Sequence, residues 1–202
     1  MHNMKSILEY FNPVSLDRPA FEEYLLHQQS LCRHIDIHTP DQMPDGKYSI
    51  ALIGLVDDRG SFSSEVSAAA DAIRSQLYLL NSFPKKPKIV DLGNLKMGPA
   101  LSDTYYAIRD ICLDLISQDV LPVFFGGTQD ATFGMYLAFE NLKKKYRLTT
   151  IDYRLDCNFE NYQNIHFLNY LNQIILNQHY LFELCNIGHQ QCFEIPIHSD
   201  LL

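Results

Sequence analysis

The sequence predicts an α/β domain of three layers, built on a mostly parallel, doubly wound sheet. Three observations predict it. From Tyr48 onward, short apolar runs alternate with longer segments of helical period, the pattern of repeated βα units. Each run ends in Gly, Asp or Pro punctuation. The runs are nearly continuous rather than alternating, as in strands covered on both faces.

Taken in order, Tyr48 to Val56 (YSIALIGLV), Lys88 to Asp91 (KIVD), Leu121 to Phe125 (LPVFF), Leu148 to Asp152 (LTTID) and Leu184 to Ile187 (LCNI) read as strands. Helices are expected over Ser64 to Asn81, Ser102 to Gln118 and Ala131 to Lys145. Ser102 followed by Asp103 supplies an N-terminal signal for the second of these. Within it, Ile108, Ile111, Cys112, Leu115 and Ile116 recur at helical spacing and predict a stripe facing the sheet. Further helices are expected at Leu16 to Leu31 and at His166 to Gln178. Residues 1–47 are read as an N-terminal helix and connection, and 48–202 as the α/β domain, with no repeats or low-complexity stretch.

The 202 residues, 47% hydrophobic and 20% charged, suit one domain with a sizeable core. A net charge of -8 argues against a nucleic-acid partner, which needs clustered Lys and Arg. The basic run Lys143 to Lys145 reads as a solvated helix end complementing the macrodipole. Five cysteines, Cys32, Cys112, Cys157, Cys185 and Cys192, contain no C-x-x-C pair and mostly sit in apolar segments, as reduced core thiols do. The sequence shows no basic and apolar leader and no apolar run near the roughly 18 residues of a membrane span. A cytoplasmic protein with no membrane partner is the expectation.

Ligands of open parallel sheets bind outside the carboxyl ends of the strands, so the residues after each run draw attention. Three such ends carry polar clusters: Asp57-Asp58-Arg59-Gly60-Ser61, Gly126-Gly127-Thr128-Gln129-Asp130 and Asp152-Tyr153-Arg154-Leu155-Asp156. The glycine pair alone signals a tight strand-to-helix turn, since the P-loop spacing and its Lys are missing. If the strand continues through the third cluster, Asp152, Arg154 and Asp156 share one face, two carboxylates flanking one cation. Asp57, Asp58 and Arg59 read first as a solvated loop and second as a ligand contact. His34-Ile35-Asp36-Ile37-His38 has ligand-like alternation, but chance spacing in a polar connection accounts for it. His189 reads as a turn residue.

In order and spacing these segments resemble the ureohydrolase family of arginase, agmatinase and formimidoylglutamase. IALIGLVDDRGS followed by SAAADAIRSQLYLL is similar to the family's first strand, substrate loop and following helix. KIVDLGNL resembles its second strand, PVFFGGTQDAT its Pro-Val-Phe-Leu-Gly-Gly-Asp-His-Ser-Ile run, and LTTIDYRLD its strand ending Asp-Ala-His-x-Asp. FELCNIGHQQCF is similar to a strand and turn of the formimidoylglutamase branch, and the resemblance covers about residues 48 to 195. It implies an arginase-like fold. It also implies that Gln129 stands at the first metal-binding His, Thr128 at the preceding Asp and Arg154 at a second metal His, while Asp152 and Asp156 keep the family's carboxylates. The family's later Asp-x-Asp pair would fall beyond Leu202, so the sequence reads as the N-terminal part of a longer domain, possessing fewer strands than the family sheet.

Those substitutions bear on the chemistry the resemblance implies. A dimetal hydrolase needs imidazoles and carboxylates to hold two ions and activate the water between them. Gln offers a weak amide oxygen and Arg offers no lone pair at all. At an effective dielectric near 20, unit charges roughly 4 Å apart interact by about 4 kcal/mol, and a divalent ion doubles the repulsion from Arg154. Arg154 can instead form forked hydrogen bonds to Asp152 or Asp156, a salt bridge in place of the metal. The expectation is a catalytically inactive arginase-like protein with no metal cofactor, a scaffold, a partner of its own or a related subunit, or a binder of a small guanidino or amidino compound. The alternative is an active manganese-dependent amidine hydrolase with a divergent site drawing on Asp130, Asp152 and Asp156.

Overall fold

The computed structural model describes residues 5–15, 29–82, 87–157, 164–190 and 192. Strands are β1 (Phe11–Asn12), β2 (Ile35–Ile37), β3 (Ile50–Leu55), β4 (Ile89–Leu95), β5 (Leu121–Gly126), β6 (Tyr146–Ile151) and β7 (Leu181–Ile187). Helices are α1 (Lys5–Leu8), α2 (Ala69–Leu79), α3 (Leu101–Ser117), α4 (Thr132–Leu142) and α5 (Tyr170–Asn177). The five strands read from sequence are all present, with ends that differ by a few residues. The main sheet runs β1-β4-β3-β5, with β2 also on β4. Strands β2, β3 and β5 join it in parallel and β1 antiparallel. Strands β6 and β7 pair in parallel as a separate two-stranded sheet.

Strand alternation produces the layers. Ala51, Ile53 and Leu55 of β3, with Val90 and Leu92 of β4, face a cluster containing Ile7, Leu8, Ile108, Ile111, Cys112 and Leu115. Leu52 and Ile89 point the other way, onto Leu31, Cys32 and Tyr78. The predicted stripe of α3 therefore faces the sheet. A third cluster, with Tyr136, Leu171 and Ile174, holds α4 and α5 to Leu148 and Leu184 of the second sheet.

Several ends differ from expectation for local reasons. The segment from Ser64 opens as a 3-10 turn to Ala68 before α2 begins. The N-cap of α3 is Ala100, not Ser102, and Asp103 serves by accepting the Ala100 N–H at 2.8 Å. Helix α4 stops at Leu142 because Lys143 turns left-handed (φ 53), leaving Lys143 to Lys145 exposed just past its end. Most of the helix expected at Leu16 to Leu31 lies outside the described residues; at its end, Ser30 bridges to Asn81 and Leu31 opens a 3-10 turn. Residues before Tyr48 also enter the main sheet, through β1 and β2. Of the cysteines, Cys32, Cys112 and Cys157 are buried, with burial pushing their thiols up to about 11, 12 and 12, whereas Cys192 is exposed. All five are free thiols.

A buried ion pair ties α2 to the sheet. Arg74 and Asp91 have no solvent-exposed side-chain surface. Arg74 donates from Nε to Oδ2 at 2.9 Å and from Nη2 to Oδ1 at 3.3 Å. Tyr78 donates its hydroxyl to Oδ2 at 2.9 Å and the Gly93 N–H reaches Oδ1 at 2.9 Å. Gly93 sits at φ 93 beside a register shift between β3 and β4, a bulge that turns its amide toward the carboxylate. Asp91→Ala would leave the guanidinium buried and unpaired, and is expected to cost on the order of 3 to 5 kcal/mol in urea denaturation. The double change Arg74→Met with Asp91→Leu should cost clearly less; equal losses would show that charge pairing is not what the site requires.

Candidate functional site

Each polar cluster begins where a strand ends, and each end is shaped by its own chemistry. After β5 the chain passes through Gly126 (φ 76) and Gly127 (φ 66). A side chain on Gly126 would meet the backbone of Ala70 and Leu55 at 2.8 to 2.9 Å, so close approach, not a phosphate, explains the pair. Thr128 then caps a 3-10 turn over Gln129–Ala131 that leads into α4. Its hydroxyl donates to Asp130 Oδ1, and the Tyr105 hydroxyl donates to Asp130 Oδ2 at 2.5 Å. Asp130 is buried. Burial, and then this hydrogen bond, push the Tyr105 hydroxyl far above its ordinary range.

Gln129 is exposed and reaches across to the end of β6, where its Nε2 donates to Asp152 Oδ2 at 2.6 Å. The strand does not continue through Asp156 as the shared-face reading requires. It stops at Ile151, and the chain bends at Tyr153 and Arg154, with the Arg154 N–H donating to Asp152 Oδ1 at 3.1 Å. This local turn competes with extension and wins. The guanidinium nevertheless returns to Asp156, Nε to Oδ1 at 2.8 Å. It pairs with Asp156 by its side chain and with Asp152 through its backbone amide. Asp156 is 1% exposed and Arg154 is 22% exposed. Burial raises the Asp156 pKa, and Arg154 pulls it only part of the way back.

The cluster after β3 is an ordered clasp in which Asp57 is buried, unlike a solvated loop residue, while Arg59 stays exposed. Asp57 is buried and takes Arg59 in a fork, Nε to Oδ1 at 2.8 Å and Nη2 to Oδ2 at 2.6 Å. Thr104 adds its hydroxyl at 2.5 Å, while Arg59 donates onward to the Pro99 and Ala100 carbonyls. Burial alone would raise the Asp57 pKa, but hydrogen bonds from Arg59 and Thr104 outweigh it and hold the carboxyl below its usual range. Asp58 contributes its carbonyl to the Ser61 amide. The loop is thereby fastened to the start of α3.

Beside this clasp lies a cavity of about 610 Å³, lined by Arg59, Tyr105, Tyr106, Phe133, Leu137 and His166 among others. Gln129, Asp152, Arg154 and Asp156 do not line it. Sequence reasoning missed Thr104, Tyr105 and His166. The Thr104-Tyr105-Tyr106 run at the start of an expected helix, next to an apolar stripe, was the available signal. Phe62 stacks edge-on to Phe167 at 5.3 Å, and the Phe167 amide donates to the Gly60 carbonyl, which brings the segment before α5 over the loop after β3.

The remaining candidates settle as structure. His38 is buried with Nδ1 2.9 Å from the Leu92 carbonyl, and Asp36 accepts the Tyr48 hydroxyl. His189 lies exposed in the turn after β7.

Among the described residues, no group of three or more His, Cys, Asp or Glu side chains is placed to hold a metal ion. Asp130, Asp152 and Asp156 are not brought together for one. Nor is any helix of these residues long and apolar enough to cross a membrane.

The order of strands and clusters has a match. The model of the arginase family fits residues 48–189. The chain belongs to the arginase family. Its fold is similar to that of Trypanosoma cruzi formiminoglutamase with Mn2+, at a TM-score of 0.65 and 16% identity, covering 75% of this chain and 56% of that one. It is also similar to formimidoylglutamase from Bacillus subtilis, at a TM-score of 0.65 and 16% identity, covering 94% and 61%. Proclavaminate amidino hydrolase from Streptomyces clavuligerus follows at 0.62 and 19%, covering 78% and 56%. No curated protein sequence matches the chain. This chain thus spans little more than half the length of the structures it resembles.

The manganese pair implied by the family does not fit the residues at these positions. Gln129 presents its amide nitrogen to Asp152, and Arg154 presents a cation to Asp156. The Arg154 pair has a pH signature. A raised Asp156 pKa means that this carboxyl favours folding when protonated and costs stability as the pH rises through its folded pKa. Arg154 offsets that cost at neutral pH. Arg154→Ala is expected to lower the melting temperature by about 5 to 10 °C at pH 7, with the deficit shrinking as the pH falls toward about 4. A deficit that stays constant over that range, read by calorimetry, would remove the ion pair from the explanation.

Proposed function

We propose that this arginase-family chain does not carry out metal-dependent hydrolysis and serves instead as a scaffold, a subunit partner or a binder of a small guanidino or amidino compound. One observation carries the reading: the two carboxylates that the family resemblance assigns to metal, Asp152 and Asp156, each have a hydrogen-bond donor from the chain itself, Gln129 and Arg154. Both donors stand where the resemblance expects imidazoles. An imidazole ligand is a lone pair aimed at a cation, whereas these groups aim hydrogen at the carboxylates. Arg154 neutralises Asp156 and Gln129 satisfies Asp152 by a hydrogen bond, so a divalent ion entering the site would have to displace both partners.

The hydrolase alternative draws on Asp130 as a substitute ligand. That carboxylate is buried and already takes the hydroxyls of Tyr105 and Thr128, which argues against it. The small-ligand arm is supported by the cavity beside α3, whose size suits a small molecule. Tyr105, Tyr106 and Phe133 there give aromatic faces on which a planar cation can rest. Partnership as a subunit of a cytoplasmic assembly fits the open strand edges of the fold.

The deciding experiment is elemental analysis of protein dialysed after manganese loading, together with assays of formimidoylglutamate, agmatine and arginine. The expected result is no stoichiometric manganese, nickel or zinc and no release of formamide or urea. About two tightly held ions per chain, or product release that disappears in Asp152→Asn, would overturn the proposal.

A further inference from the structure

The cavity beside α3 is one-sided in its hydrogen bonding. Arg59 lines it and is exposed. A guanidinium carries N–H donors on all three nitrogens and has no acceptor. Nε and one Nη2 hydrogen go to Asp57, the other Nη2 hydrogen goes to the Ala100 carbonyl, and Nη1 gives a hydrogen to the Pro99 carbonyl. That leaves the second Nη1 hydrogen with no partner among the described residues. His166 lines the same cavity. Its Nδ1 accepts the Leu168 N–H at 3.2 Å, so in the neutral ring the hydrogen sits on Nε2. The Nε2 donor likewise has no partner among the described residues.

Nothing in the lining answers these donors with a negative charge. Among the described residues no carboxylate lines the cavity. The acids on the same elements are already engaged: Arg59 and Thr104 hold Asp57, the Ala100 amide holds Asp103, and Tyr105 and Thr128 hold Asp130. Donors without an acceptor in a sheltered cavity favour a ligand that brings one, and a carboxylate brings the strongest.

The apolar wall defines the body of that ligand. The Tyr105 ring is buried, its hydroxyl is fixed on Asp130, and it meets Phe133 edge-on at 5.7 Å. Tyr106 is steadied by the Arg109 guanidinium, 4.9 Å from its ring. Leu137 and Ile165 complete an apolar surface. Aromatic walls held in place suit a flat ring, which can stack or meet them edge-on.

We propose that this cavity takes a flat aromatic carboxylate, with its ring against Phe133 and Tyr106 and its acid on Arg59 and His166. This occupant rests on the small-ligand arm of the reading above and adds a requirement to it. Whatever else the compound carries, it needs an acid, because a guanidinium or amidinium alone brings only more donors to a site short of acceptors.

Naphthalene-2-carboxylate and naphthalene-2-carboxamidine share a ring system and differ in charge, so the pair reads that requirement. Each is titrated into the 202-residue chain and followed by backbone amide shifts in NMR. The carboxylate should bind with a Kd of roughly 1 mM or tighter and shift Ser102, Tyr106, Leu137 and Ile165. The amidine should bind at least about tenfold more weakly. Arg59→Gln and His166→Phe should each weaken the carboxylate by about tenfold, whereas Lys144→Ala, in the exposed run past α4, should change nothing. Arg59 also fastens the loop after β3, so His166→Phe, which keeps a ring beside Phe62 and Phe167, decides the matter if the Arg59 variant fails to fold. Carboxylate binding that survives His166→Phe and is lost in Lys144→Ala is surface attraction and overturns the proposal. Equal affinity for the two compounds overturns it as well. Binding of the amidine alone overturns it while leaving the amidino arm standing, and binding of neither overturns it and removes the cavity from the support for that arm.

Discussion

The fold rests on the Arg74 to Asp91 pair. A guanidinium and a carboxylate without solvent contact are tolerable only because the site is fully satisfied. Arg74 forks onto Asp91, Tyr78 and Gly93 complete the carboxylate, and Asp71 and Asn94 take the remaining Arg74 nitrogen. Removing any one partner leaves charge in a low-dielectric interior, so the group acts as a unit. Its reach is wide. It joins α2 to β4, and the Arg74 guanidinium lies 5.1 Å from the ring of Phe125 on β5. The strand ends that present Asp57 and Gln129 are therefore placed relative to one another by a network neither residue belongs to.

The same economy governs the strand ends. Asp57, Asp130, Asp152 and Asp156 all follow strand ends, and each is answered separately. Arg59 and Thr104 serve Asp57, Tyr105 and Thr128 serve Asp130, Gln129 serves Asp152, and Arg154 serves Asp156. Local pairing distributes the negative charge that a shared cation would otherwise concentrate. The carboxyl pKa values diverge accordingly: hydrogen bonds win at Asp57 and burial wins at Asp156.

Burial differs between the two sheets among the described residues. Around β3 and β4 the sheet is covered on both faces and paired on both sides. Toward β5 and β6 it opens, and apolar side chains such as Ile151, Phe182 and Ile187 are left exposed. The family fold is present, with its described strands paired as two separate sheets.

The sequence by itself determined the fold class, the five strands from Tyr48 onward and the helix stripe of α3, because continuous apolar runs and a 3.6-residue period are local signals read by local forces. It also picked out the polar strand ends that hold Gln129 and Arg154. Tertiary structure decided the rest. Nothing local shows that the strand stops before Tyr153, because a side-chain turn at Asp152 competes on nearly equal terms with extension. Nothing local reveals that Asp57 is sealed by Thr104, that Arg74 finds Asp91, or that β5 and β6 stand apart. These depend on which distant backbone and side-chain groups come within hydrogen-bonding distance, and that is fixed only once the layers pack.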